Sequence, residues 1–168
     1  EEDVSKALIM AARTFIEAEP NYTYVAARML LDAHRQEAVP FVHGTEMRLT
    51  QKEMASAYPS YFEAYVKTAV DLELMDPKLA SFDLQKLGNA IKPERDFQFT
   101  YLGLQTLYDR YLIQHDGTRF ELPQAFFMRV AMGLAINEME PEEWAIKFYD
   151  LLSSFDFMSS TPTLFNSG

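Results

Sequence analysis

Cysteine is absent from the 168 residues, which removes disulfides, thiolate metal sites and thiol nucleophiles from what they can do by themselves. Glycine is scarce: the six glycines are scattered, with no G-x-G-x-x-G or Walker spacing, so no phosphate-cradling loop can be read. Positive charge is outnumbered, 15 Lys and Arg against 25 Asp and Glu, and the net charge of −10 argues against nucleic acid or an anionic membrane as partner. No run approaches the roughly 20 consecutive apolar residues of a membrane span. The start "EEDVSKALIM" lacks the basic opening and small-residue cleavage site of a signal peptide, so the expected location is the cytoplasm. The three histidines, His34, His43 and His115, are far apart and in no Glu-x-x-His or His-x-x-x-His spacing, so they read as surface or hydrogen-bonded structural residues and no metal ligand is assigned.

What is present is hydrophobicity at helical spacing, 48% of the chain and ample for one packed core. Val4, Leu8, Ala11, Ala12 and Phe15 predict one helix, and Tyr22, Val25, Ala26, Met29, Leu30 and Ala33 a second, capped by Asn21 and paired with the first. Pro40 to Leu49 reads as a linker. Two capping-box patterns, Thr50 with Glu53 and Ser60 with Glu63, predict a short helix and then a longer one to about Leu74, with a break at Pro77. Asp83 and Thr100 can cap two further helices. Asp116-Gly117 between β-prone runs signals a small hairpin. Pro123 opens an almost continuously apolar helix expected at the centre of the core, and Pro141 another with Trp144, Phe148, Leu151 and Leu152 on one face. From Ser159 the tail is expected to be extended.

Few residues point to chemistry. Glu138, Glu140, Glu142 and Glu143 bracket a helix start and read as acids meeting its dipole rather than as paired catalytic carboxylates. Tyr58, Tyr61, Tyr65, Tyr101, Tyr108 and Tyr111 recur at helical spacing and read as packing residues with the hydroxyl at the rim; the methionines read as packing as well. The terminal "SSTPTLFNSG" carries hydroxyls and backbone N–H groups that could hold phosphate oxygens, a weak signal by chemistry alone.

That terminal run, preceded by "AIKFYDLLSSFDFM" and "ELPQAFFMRVAMGLA", resembles the N-terminal part of the large, catalytic subunit of ribonucleotide reductase, and "FTYLGLQTLYDRYLI" and "PNYTYVAARMLLDAHR" fit the same subunit in the same order. The resemblance implies a mainly α fold with one small β-hairpin and a C-terminal strand that would start a ten-stranded α/β barrel. Residues 1–38 would be the last helical pair of an ATP-cone-like domain, 39–158 a helical domain, and 159–168 the first barrel strand and loop. Thr161, and more weakly Ser160, would touch the ribonucleoside diphosphate. Leu164 and Phe165 would be buried by sheet pairing.

The same resemblance implies partners: the remaining part of the large subunit, which carries the cysteines, and a radical-generating, metal-containing small subunit, with ATP and dATP as effectors. The basic residue often found at the end of the second cone helix is matched here by Gln36, and the cone's strands have no counterpart before Glu1, so effector binding by these residues alone is not expected. With no cysteine the chain would be inactive alone, a subunit interrupted before its catalysts by a split gene, an intein or proteolysis; no catalytic, cofactor or metal-binding residue is assigned to it. The rival readings are a non-catalytic helical regulator derived from that family and an unrelated helical adaptor.

Overall fold

A computed structural model describes residues 2–168 of the chain. Its first two helices, α1 (Glu2–Thr14) and α2 (Tyr22–His43), pack against each other around Ile9, Ala12 and Ala26, with Tyr101 closing this small satellite core. The stripe expected on α1 is turned: Val4, Leu8 and Phe15 are exposed, and Ile9 and Ala12 face inward instead. α2 has two apolar faces because it has two neighbours. Met29, Leu30 and Ala33 look to the satellite core, and Ala27, Leu31, Ala38 and Val39 enter the main one. The linker expected from Pro40 begins later, since α2 runs through Pro40 to His43. It stops at Gly44, whose φ of +66° suits a residue without Cβ and whose N–H donates to the Pro40 carbonyl at 2.8 Å.

Helix α3 (Gln51–Asp71) starts with the Thr50 capping box: Thr50 Oγ1 accepts from the Glu53 N–H at 3.3 Å, and the Glu53 carboxylate from the Thr50 N–H at 2.9 Å. The second box does not form. Ser60 lies inside the same helix and donates to the Ala57 carbonyl at 3.0 Å, so one long helix replaces the expected pair. Burial of Met54, Tyr58, Tyr61, Phe62, Tyr65, Val66 and Ala69 holds it straight through the interior despite Pro59.

Beyond a turn at Pro77–Ser81, Asp83 caps α4 (Leu84–Ala90) through the Lys86 N–H at 2.9 Å, and Thr100 caps α5 (Tyr101–Arg110) through the Gly103 N–H at 3.2 Å. Strands β1 (Gln114–His115) and β2 (Thr118–Arg119) pair antiparallel, with both turn residues at positive φ, Asp116 at +48° and Gly117 at +83°, as a type I′ turn requires.

Helix α6 (Pro123–Ala135) is buried on nearly all sides and forms the centre of the main core with α3; α7 (Pro141–Ser153) lies along it. The face of α7 is again rotated from expectation: Ala145, Tyr149 and Leu152 pack inward, while Trp144 and Leu151 are exposed and Lys147 lies over the Trp144 ring at 4.5 Å. Spacing by three or four is satisfied by either stripe, and the neighbour α6 selects one.

The tail is not a strand. Thr161–Asn166 close into a short helix, α8, whose backbone satisfies itself through Leu164 N–H to Ser160 O at 3.2 Å and Ser167 N–H to Thr163 O at 3.0 Å. Pro162 fits its first turn, where no N–H is needed. Among the described residues no helix is long and apolar enough to cross a membrane.

Candidate functional site

A cavity of about 720 Å³ opens between the start of α5, the flank of α6 and the chain entering α8. Its floor is apolar, from Phe99, Leu107, Phe126, Phe127, Phe155 and Leu164; Thr100, Thr106, Tyr111 and the run Ser159, Ser160, Thr161 bring hydroxyls to it. Thr161 Oγ1 lies 3.1 Å from the Tyr111 hydroxyl, an exposed contact that bridges the end of α5 to the start of α8. Ser160 precedes α8 in extended backbone and its side chain makes no capping bond. The two sequence-derived site residues therefore share one cavity mouth.

The segment bearing them is anchored from below. Leu164 is buried in the main core, already covered by helices rather than by a partner strand, and the half-exposed Phe165 stacks on Tyr111 at 4.9 Å between centroids. At the far end Arg129 Nη1 donates to the Ser167 carbonyl at 2.7 Å, and the Ser167 hydroxyl donates to the Val130 carbonyl at 2.8 Å. A Cβ on Gly133 would collide with the Gly168 nitrogen and the Ser167 hydroxyl, so α6 admits this segment only where it has a glycine.

Arg129 is itself held by a buried carboxylate. Its Nε donates to Glu121 Oε1 at 2.6 Å and its Nη2 to Oε2 at 3.3 Å; Glu121 also accepts from the Tyr65 hydroxyl and from the Ile113 N–H at 2.9 Å. Burial disfavours the guanidinium cation, yet the Glu121 charge beside it holds the Arg129 pKa above its ordinary value. Sequence reasoning passed over this pair. The available signal was an arginine within a helix otherwise apolar on every face, which demands a buried partner.

A second buried network surrounds Asp96, which accepts from Tyr58 Oη at 3.0 Å and Gln124 Nε2 at 2.8 Å; Tyr149 in turn donates to Gln124 Oε1 at 2.8 Å. Desolvation pushes the Asp96 pKa up to about 6, opposed by the bonds from Gln124 and Tyr58. Tyr58, Tyr61 and Tyr65 are thus wholly buried with internally bonded hydroxyls, not rim residues, because carboxylates and carbonyls wait for them inside. Tyr101, Tyr108 and Tyr111 do keep their hydroxyls outward, bonded to Gln105, Glu37 and Thr161.

The remaining candidates are structural. His34 is buried, 3.2 Å from the Arg119 carbonyl and edge-on to Tyr108, and burial lowers its pKa to about 3, keeping it neutral. His43 ends α2, and His115 lies in β1 beside Asp116. Among the described residues no three His, Asp or Glu side chains group to hold a metal. At the start of α7 Glu142 accepts from the Asp83 N–H at 3.0 Å and Glu143 pairs with Lys86 at 2.5 Å, so the acids join two helix N-termini. Gln36 donates to Asp32 at 3.0 Å and lines a separate cavity of about 350 Å³ between α1 and α2.

Comparison with known proteins matches residues 97–168, the stretch that builds this cavity and its anchor, to the family described as ribonucleotide reductase, all-alpha domain. Over its full length the chain is 47% identical to the ribonucleoside-diphosphate reductase subunit alpha of Chlamydia muridarum, covering 16% of that protein. It is 39% identical to the same subunit of Helicobacter pylori over 99% of the chain and 20% of the relative, and 32% identical to that of Enterobacteria phage T4 over 97% and 21%. The chain thus spans about a fifth or less of the curated relatives it matches most strongly. End-to-end similarity at these identities, together with the helical fold, means that the chain belongs to the ribonucleotide reductase large-subunit family and corresponds to its N-terminal region.

Proposed function

We propose that these residues serve the reduction of ribonucleoside diphosphates to deoxyribonucleotides, as the helical layer of a reductase large subunit that presents Thr161, with Ser160 beside it, to the substrate. The observation that carries the reading is the placement of both hydroxyls at the mouth of one cavity, on a segment anchored to the core of the region that matches the family. Thr161 is in a position to offer a hydroxyl to a sugar or phosphate oxygen, with Tyr111 Oη as the group that orients it.

The reduction itself needs thiols, and none of the 168 residues is a cysteine, so on this reading they are inactive alone and the reducing groups come from elsewhere in the large subunit. The radical would come from a metal-containing small subunit, and ATP or dATP would act at the α1–α2 pair, residues 1–38, completed by other residues.

In a complete large subunit containing this region, assayed with its small subunit and a reductant, Thr161→Val should raise KM for the ribonucleoside diphosphate about tenfold, while Thr161→Ser, which keeps the hydroxyl, should stay near the unmodified protein. An unchanged KM in the valine variant would remove Thr161 from the substrate site.

A further inference from the structure

Thr161 sits at the exposed end of α8, a helix of six residues too short to hold its own shape in water. Its order must come from what it touches. At the Thr161 end the contact is the single exposed pairing with Tyr111. At the other end the contact is buried and charged: Arg129, 3% exposed, spends Nε and Nη2 on Glu121, 0% exposed, and turns Nη1 to the Ser167 carbonyl. Glu121, with four donors around it, cannot rotate without stranding one of them. The guanidinium plane is fixed in turn, and so is the direction of its third bond. Gly133 supplies the matching gap one helical turn along α6.

We propose that Arg129, oriented by Glu121, is a positioning residue for the reductase: it fixes the Ser167 carbonyl over Gly133 and thereby sets where Thr161 meets the substrate. This rests on the reading of Thr161 given above. Charge neutrality alone would not require an arginine here, because a lysine would neutralise Glu121 equally well. The carbonyl of Ser167 requires the fork, with donors diverging to the carboxylate on one side and to the backbone on the other.

The test uses the complete large subunit with its small subunit and reductant, and three variants. Gly133→Ala leaves the Glu121–Arg129 pair untouched and pushes the terminal segment off α6. Arg129→Lys keeps the charge and loses the fork. Thr161→Val reports on the substrate contact itself.

Hydrogen exchange at the Leu164 and Ser167 amides, both bonded within the α8 segment, reads its order directly, with the α3 amides as the control for global folding. The proposal expects faster exchange at Leu164 and Ser167 in Gly133→Ala with α3 unchanged, and a KM for the ribonucleoside diphosphate raised about tenfold in both Gly133→Ala and Arg129→Lys. Unchanged exchange at the two amides in Gly133→Ala overturns it. So does faster exchange with an unchanged KM while Thr161→Val raises KM, since the order of the segment would then not matter to the substrate. An unchanged KM in Thr161→Val removes the reading of Thr161 and the proposal with it, a failure distinct from the other two. Should Arg129→Lys fail to fold, Gly133→Ala decides the matter alone.

Discussion

Glu121 and Asp96 are both buried, 0% and 3% exposed, and both belong to the interior between α3 and α6, yet their surroundings differ in kind. Glu121 faces a cation in a two-pronged arrangement and two further donors. Asp96 takes its bonds from the neutral groups of Gln124 and Tyr58, and its pKa climbs to about 6. The first arrangement keeps two charges inside the protein at every ordinary pH and turns one of them into a directed backbone donor. The second is a carboxyl on the edge of protonation, whose charge the core tolerates only in part. A buried acid can therefore act as a fixed anchor or as a pH-dependent weak point, and what decides is whether an arginine stands beside it.

Removing the cation should make the two sites alike, at large cost. Arg129→Met strands the Glu121 charge, and the expected loss is about 3–5 kcal/mol of unfolding free energy in urea titration at pH 7. A loss below about 1 kcal/mol would mean that Glu121 simply takes up a proton, as Asp96 is poised to do.

The pH dependence comes next. The Asp96 carboxyl titrates near 6 in the folded chain against a model value of 3.8. Between those values the folded state holds a proton that the unfolded state has released, so the Asp96 contribution is most favourable below about pH 4 and is lost as pH rises through about 6. Two pKa units correspond to about 3 kcal/mol. Relative to the unmodified protein, Asp96→Asn should thus gain about 3 kcal/mol on going from pH 4 to pH 7, with the wild-type and variant urea curves measured at both. Parallel curves would show that Asp96 does not titrate in this window.

Smaller effects separate the two sites further. Tyr65→Phe removes one of four donors to Glu121 and Tyr58→Phe one of two printed around Asp96, and each should cost about 1–3 kcal/mol. The Tyr58→Phe loss should be greater at pH 7 than at pH 4, because the charged form of Asp96 needs the donor more; the Tyr65→Phe loss should be the same at both. Equal pH behaviour would erase the distinction. At the surface end of the anchored segment, Thr161→Ala should change stability by no more than about 0.5 kcal/mol, so that any effect on substrate KM is read without a folding artefact.

Starts and stops of elements were legible in the chain, because each is local chemistry. Thr50, Asp83 and Thr100 each bond an N–H two or three residues on, Pro123 and Pro141 need no N–H, and Asp116-Gly117 accepts positive φ. Ser60 shows the limit of that reading: the same pattern as Thr50 occurs inside a helix when tertiary burial carries the helix through. Helix faces were less legible, since the side that a stripe turns inward depends on the neighbour, as α1 and α7 show. The segment after Ser159 read as extended and forms α8, a six-residue helix settled by contacts with Tyr111, Arg129 and Gly133 from distant parts of the chain.

The sequence by itself determined the helical class, the hairpin, the family resemblance and the choice of Thr161 and Ser160, because these depend on residue types at short spacing. Tertiary structure alone decided that Glu121 and Arg129 form a buried pair, that Asp96 has none, and that the pair reaches Ser167. Those facts depend on which side chains meet across α3, α6 and the chain terminus, up to 56 positions apart for Tyr65 and Glu121, and the energy of a buried charge is set by its neighbours in space rather than in sequence.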